Sequence, residues 1–504
     1  MQCVPDFLLN ESAPEAVALF TLSGDYTYRE LREAAKNVAS YLQSAGARKG
    51  DRVLLAADNS FFWVAAYLGI LKAGLVCVPL ASTISGAELS YILQSTEAQF
   101  VFLQSSTLRA HQRLLSHLSI VADKRTPQPG LEAHSIEYFP DLLARNSGGS
   151  FTPPDIEKDD LAVLIFTSGS TGQPKAVMVS HNNIIANTAS IAEYLKLTKR
   201  DRILAVLPFY YCFGSSLLHT HLRVGGSVVL EPRFMYPERV LDRIIETEST
   251  GFAGVPSHFH VLLRSSSIRN RDLRTLRYVQ QAGGYMAPKT ITELQQALPE
   301  TKIFVMYGQT EATARLSYLP PERLADKIGS IGKGIPGVQL RVLTEDGRPV
   351  STGEIGEIVA EGENVTLGYW RDPEETARSF RHGRLYTGDL ATVDSDGFIY
   401  IAGRAKEFIK SGGKRVGCRQ LEQEILEFEG LTEVAVIGVP DDLLGEAVKA
   451  FVVPSNSESD FLERLYTFCR RRMQPAFVPR DIVLLNSIPK NEYGKVSKPA
   501  LRQL

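Results

Sequence analysis

Cysteine is sparse: Cys3, Cys77, Cys212, Cys418 and Cys469 are scattered through 504 residues with no CxxC pair. That pattern argues against a disulfide scaffold and against a structural zinc site, and it fits a reducing compartment. Net charge is equally scarce. Lys plus Arg number 55 against 57 Asp plus Glu, a formal −2, so no overall field draws the chain to nucleic acid or an anionic membrane. The longest apolar stretch, 61–81, is interrupted by Lys72, Gly74 and Pro79 and reads as a helix followed by a strand, not as a membrane span. No basic stretch, apolar run and small-residue cleavage site open the chain, so a cytoplasmic location is expected. Internal repeats and low-complexity tracts are lacking too.

What is present is a globular composition, 44% hydrophobic and 22% charged, in a chain long enough for two to four domains. Helical periodicity over 28–45, an apolar run at 53–56, a helix from Phe61 capped by Gly74 and a strand at 75–78 give α/β layering. The order resumes after a Ser/Pro/Gly loop at 146–154. A strand at 161–166 and a helix at 183–195 are followed by units at 202–207, 227–230, 239–248 and 303–307. From 335 to 400 short alternating runs separated by Asp346-Gly347 and Asp396-Gly397 predict antiparallel strands. Beyond Gly403 come a basic loop, an acidic helix (420–429), strands (434–439, 447–453), a helix (458–473) and a basic tail. This predicts a small separate α+β domain.

The strand at 161–166 runs directly into Thr167-Ser168-Gly169-Ser170-Thr171-Gly172-Gln173-Pro174-Lys175. Two glycines allow close backbone approach, the hydroxyls and N–H groups can donate to phosphate oxygens, and Lys175 adds charge. It is not a GxxxxGK[ST] loop, because Lys175 follows Pro174 and precedes Ala176. The longer string 167–181, TSGSTGQPKAVMVSH, resembles the phosphate loop of the adenylate-forming superfamily. That superfamily comprises acyl- and aryl-CoA synthetases, nonribosomal peptide synthetase adenylation domains and luciferases. YGQTEA (307–312), YTGDL (386–390), GRAKEFIKSGGKRV (403–416) and PKNEYGKVSK (489–498) resemble its later motifs in the same order. The chain is thus identified as similar to bacterial-type AMP-dependent acid:thiol ligases.

The resemblance implies a large N-terminal domain (1–402) of layered α/β subdomains plus a distorted β-barrel, and a small mobile C-terminal α+β domain (403–504). It implies ATP, Mg²⁺ and either CoA or a carrier-protein phosphopantetheine as reactants and cofactors. The loop from Thr167 to Lys175 would hold the β- and γ-phosphates, Thr310 the α-phosphate and Glu311 the metal. Taken alone, Glu311 reads as an acidic residue at a helix N-terminus. Asp389, with Arg404 assisting, would take the ribose hydroxyls; by itself a Gly-Asp pair is more often an Asx turn. Gly283, Gly284 and Tyr285 would line the adenine, with Tyr285 or Tyr307 stacking on it. Lys495 would bridge the attacking carboxylate and the α-phosphate. Lys406 would be the hinge that exchanges Lys495 for the Gly412-Gly413 loop of the thiol arm. Residues 403–419 carry six basic side chains (Arg404, Lys406, Lys410, Lys414, Arg415, Arg419) against Glu407, a landing surface for CoA or an acidic carrier protein. Cys418 stands where the superfamily often has proline.

The segment 207–222 resembles one wall of the acid pocket, with Phe209, Tyr210, Tyr211, Cys212 and Phe213, and with Gly308 opposite. No acidic residue lies between Leu207 and Leu230, so an α-amino acid would bury its ammonium unpaired, and a fatty, aromatic or other uncharged acid is expected. His219 and His221 are two apart and face different ways on a helix, which argues against a metal pair. Arg315, four after Glu311, reads either as a helical ion-pair partner or as a contact for a dicarboxylic substrate. The expected activity is ATP-dependent formation of an acyl-adenylate and pyrophosphate, then transfer to a phosphopantetheine thiol. The alternatives are a stand-alone amino- or imino-acid adenylation enzyme loading a peptidyl carrier protein, and a non-catalytic adenylate-binding homologue.

Overall fold

The computed structural model describes residues 3–125, 136–144, 151–167, 174–232, 234–404, 408–411, 414–455, 460–490 and 496–504. Its short apolar runs become strands buried on both faces, as parallel strands flanked by helices require. One seven-stranded sheet runs Ile136–Tyr138, Ser119–Ala122, Phe100–Leu103, Arg52–Ala56, Val76–Leu80, Leu161–Thr167, Lys175–Ser180, parallel except for its last pair. A nine-stranded sheet is parallel through Lys302–Tyr307, Tyr278–Gln281, Gly251–Gly254, Arg202–Ala205, Ser227–Leu230 and Val17–Phe20, with antiparallel strands at both edges.

Four helices fill the space between these sheets: Tyr28–Ser44, Phe61–Lys72, His181–Tyr194 and Cys212–Arg223 share one apolar core with the inner faces of both. Phe61–Lys72 has the buried sequence that position needs. Every residue from Phe61 to Leu71 is buried, Ser60 accepts a hydrogen bond from the Trp63 N–H, and Gly74 (φ 71°) ends the helix. There the Gly74 and Leu75 N–H groups donate to the Leu71 and Ile70 carbonyls, both at 3.1 Å. Further helices cover the outer faces, giving five alternating layers. The loops that leave the carboxyl ends of the parallel strands therefore gather at one side, where open α/β sheets bind ligands.

Residues 339–404 form a five-stranded antiparallel sheet, joined to the nine-stranded one by the Gly332–Ile399 bridge; this is the form taken by the distorted barrel that the resemblance implied. One expectation fails here. Gly388-Asp389 is not a chain-reversing turn but lies within the strand Arg384–Val393, where Asp389 is in register with Arg404 of Ile399–Arg404. The ladder hydrogen bonds of the flanking strands override the local turn preference of Gly-Asp. The last sheet combines Lys414–Gly417, Phe408–Ser411, Gly445–Pro454, Leu431–Asp441 and Asp481–Leu484, with helices Cys418–Leu426 and Phe461–Arg472 over a separate core. Asp481–Leu484 is a strand where the sequence suggested only a basic tail, because it adds in parallel to the edge of Gly445–Pro454.

Candidate active site

Thr167 and Lys175 face each other as the last residues of an antiparallel pair, so the strand geometry brings the two ends of the phosphate-loop motif together. Ser168, Gly169, Ser170, Thr171 and Gly172 lie outside the described residues. Lys175 Nζ is 3.2 Å from Glu375 Oε1 and 5.6 Å from the centre of the Tyr369 ring. Tyr369 in turn donates its hydroxyl to Glu311 Oε1 at 2.8 Å. Burial, and then the Glu311 charge, push the Tyr369 hydroxyl pKa well up, so it stays a donor. One tyrosine thus ties the lysine beside the phosphate loop to the acidic residue of the 307–312 motif. It arrives there because 367–370 lies along the strand Lys175–Ser180, with Met178 N donating to Gly368 O and Trp370 N to Ala176 O.

The motif carrying Glu311 is not the start of a helix. Thr310–Ala312 is a single 3₁₀ turn, after which Thr313 (φ 66°) reverses the chain and the Leu316 N–H donates to the Tyr307 carbonyl at 2.9 Å. Neither the helix-dipole role for Glu311 nor the helical Glu311–Arg315 pair therefore exists. The reversal depends on Gly308, whose position leaves no room for a side chain: a Cβ there would lie 2.0 Å from the Ala314 carbonyl oxygen. Thr366 donates to the Glu311 carbonyl from both its N–H and its hydroxyl, each at 3.0 Å, and fixes the turn from outside.

Asp389 is 6% exposed and held by two donors. The Tyr307 hydroxyl lies 2.6 Å from Oδ2, and Arg404 Nε lies 3.1 Å from Oδ1. Gly388 (φ 74°) places its N–H 2.9 Å from Glu357 Oε1, and Thr387 donates to the Ile358 carbonyl at 2.8 Å. Burial and the adjoining Asp389 raise the Tyr307 pKa well above that of a free phenol. Tyr307 is thus anchored by its hydroxyl to Asp389. Gly283 (φ 80°) and Gly284 pass so close to Val255 and Pro256 that a Cβ would sit 3.0 and 3.3 Å from those side chains. Tyr285 follows them, and the Arg419 guanidinium, on the helix Cys418–Leu426, lies 3.9 Å from the centre of its ring.

The expected aromatic wall divides into three. Phe209 and Cys212 line a cavity with Tyr67, Asn187, Ser215, His219 and Ala314. Tyr210 and Tyr211 instead face a cleft beside Pro79, Ile84 and Phe166. Phe213 lies under the guanidinium of Arg315, 4.0 Å from its centre. The split follows from geometry: 208–211 is a turn in which the Tyr211 N–H donates to the Pro208 carbonyl at 3.3 Å, and the helix begins at Cys212. At about 20 Å³ the first cavity has the room of one water. Cys212 Sγ is 3.6 Å from Thr310 Oγ1, which brings the 207–222 segment to the 307–312 motif. His219 pairs with the Tyr67 hydroxyl (2.9 Å) and His221 with that of Tyr278 (2.7 Å), on different sides of the helix.

Lys406, Gly412, Gly413 and Lys495 lie outside the described residues. The sequence reading missed Tyr369, Glu375 and Glu357, which carry no motif of their own. The one local signal is Asp372 before Pro373, which caps the helix Pro373–Ser379 by accepting from Glu375 N and so aims Glu375 at Lys175.

Residues 9–370 match the AMP-binding enzyme family, and residues 420–495 match the AMP-binding enzyme C-terminal domain. The chain is 32% identical to a feruloyl-CoA synthase of Amycolatopsis sp. over 496 residues, covering 97% of this chain and 96% of that protein. Its structure is similar to that of ATP-bound MatB from Rhodopseudomonas palustris, with a TM-score of 0.88 at 28% identity, covering 99% of this chain and 98% of that one. It is also similar to o-succinylbenzoate CoA synthetase from Bacillus subtilis in complex with the acyl-adenylate intermediate, with a TM-score of 0.86 at 26% identity and coverages of 99% and 98%. The chain belongs to the AMP-binding enzyme family. It is an AMP-forming acid–thiol ligase, which joins an acid to AMP and passes the acyl group to a thiol.

Proposed function

We propose that the chain activates a carboxylic acid lacking an α-ammonium group and transfers it to CoA. The observation that carries the nucleotide half is Asp389, buried between Tyr307 and Arg404 at the ligand-binding end of the sheets, two oxygens fixed for two ribose hydroxyls. A lone Glu311 suits Mg²⁺, which takes one or two protein carboxylates and fills its shell with phosphate and water. Among the described residues no cluster of three His, Cys, Asp or Glu competes for that role. The metal, held by Glu311, would neutralise phosphate charge. Lys175 is held next to the phosphate loop by Glu375 and is released to phosphate when a stronger anion arrives. Thr310 donates to the α-phosphate, and Lys495 orients the attacking carboxylate.

CoA as acceptor is supported by the naming of the relatives as CoA synthases and synthetases and by the basic segment 403–419. The chain leaves the antiparallel sheet at Arg404 and enters the last sheet at Phe408, which supports a boundary near 402 and a hinge at Lys406. Rotation there would bring the Gly412-Gly413 loop to the site for thioester formation. A cytoplasmic location agrees with five scattered cysteines that form no CxxC pair and with the CoA supply.

ATP–pyrophosphate exchange with pooled amino acids and pooled non-amino acids tests the reading. Exchange confined to the non-amino pool, followed by CoA-dependent AMP release, is expected. Exchange confined to amino acids would overturn it.

A further inference from the structure

We propose that the acid activated here carries a second carboxylate, received by Arg315, which lies behind Cys212 and Ala314 of the first cavity's wall. The proposal rests on the ligase reading above and names its substrate class. Arg315 is 1% exposed, and its Nη2 atom has no hydrogen-bond partner. Among the described residues no carboxylate pairs with it; its neighbours are the Phe213 ring, Met306 Sδ at 3.4 Å from Nε, and the Tyr194 hydroxyl. A buried guanidinium without a counterion is costly, and removal from water already lowers its pKa. An incoming carboxylate supplies the missing partner, with fork geometry suited to two parallel bonds.

A second buried polar group lies on the same face of the nine-stranded sheet. Gln280 is 1% exposed, and both its amide oxygen and its amide nitrogen lack partners. It is in register with Phe304, two residues before Met306 on the adjoining strand, so the amide lies on the side that carries Arg315's sulfur contact. An apolar acyl end would leave Arg315 Nη2 unsatisfied, whereas a carboxylate accepts from it.

The backbone under Arg315 is clamped. Asn187 accepts from the Arg315 N–H (3.3 Å) and donates to its carbonyl (3.0 Å), and Asn364 donates to the same carbonyl (2.9 Å). Such double anchoring fixes where the side chain starts, as preorganised recognition needs. Two consecutive residues of the helix Cys212–Arg223 serve the two ends: Cys212 touches Thr310 at the reacting end, and Phe213 lies against Arg315 at the other. Adjacent residues at the two ends suit a short diacid.

The test is ATP–pyrophosphate exchange by the full chain with matched pairs, each a monocarboxylic acid and the same skeleton bearing a second carboxylate. The diacid of at least one pair should win by roughly 100-fold or more in kcat/KM, because a site built around buried donors rejects a ligand that leaves them empty. Arg315→Met should reduce that ratio by at least roughly tenfold, and Arg315→Lys should restore part of it. Monoacids preferred in every pair, or a ratio unchanged in Arg315→Met, would overturn the proposal while leaving the ligase reading intact. Silence with all acids from folded wild-type protein would remove the ligase reading and this inference together. If Arg315→Met does not fold, the wild-type pairwise preference decides alone.

Discussion

Asp389 shows how a single residue changes meaning with its surroundings. As part of Gly-Asp it reads locally as a turn, yet it is a strand residue with two charged or polar donors aimed at its oxygens. If those oxygens serve the ribose, Asp389→Ala should raise the apparent KM for ATP by roughly 10- to 100-fold, the usual worth of hydrogen bonds to a charged group. An unchanged KM in a pyrophosphate-exchange assay would return Asp389 to a structural role. Lys495 gives a complementary prediction. Lys495→Ala should abolish adenylation while sparing thioester formation from supplied acyl-adenylate, a split read by running the two half-reactions separately. Loss of both, or of neither, would contradict its assignment to the first step alone. Motif residues such as Glu311 and Lys175 were legible because each sits in a recognisable string. Tyr369, which joins them, was not, since nothing near it in sequence reveals a partner 58 residues away.

The elements respond to substitution according to the space around their glycines. In the reversal 308–316, Gly308→Ala must displace the Ala314 carbonyl. The expected result is a loss of about 1–3 kcal/mol in stability together with weakened ATP-dependent exchange, because Thr310 and Glu311 ride on the same turn. Gly86 makes the contrast. It opens the helix Gly86–Thr96 behind the Ser85 cap, and a Cβ there would meet nothing nearer than His111 Nδ1 at 3.7 Å. Gly86→Ala should therefore leave exchange unchanged and raise stability by up to about 1 kcal/mol. Thermal denaturation of the two variants side by side checks both, and equal destabilisation would show that the steric argument is wrong. Helix positions were readable from apolar spacing, as for Phe61–Lys72. The strand Arg384–Val393 was not, because its pairing partners on either side decide it.

For the whole molecule the buried histidines set an acid limit. Removal from water pushes His181, His221 and His258 down to about 4, and His219 to about 3. Unfolded histidine binds its proton near pH 6.5, so between pH 6.5 and 4 the unfolded chain takes up protons that the folded chain refuses. Stability is full above that window and is lost as the pH falls through it, by about 1–3 kcal/mol per histidine. The thermal midpoint should drop steadily from pH 6.5 to pH 4; a flat profile over that range would refute the account.

Local chemistry alone determined the α/β layering, the antiparallel region, the C-terminal unit and the order of the ATP-site motifs. Apolar periodicity, turn pairs and the phosphate-loop string are short-range patterns that a linear chain displays in full. Tertiary structure decided which sides those patterns face. Three-way division of the aromatic wall, Tyr307 and Arg404 on Asp389, and Arg315 buried against Phe213 all depend on residues distant in sequence meeting in the folded chain. Burial, and the lack of a carboxylate partner among the described residues, are properties of the assembled core, and they separate Arg315 from Glu311, its neighbour in the sequence.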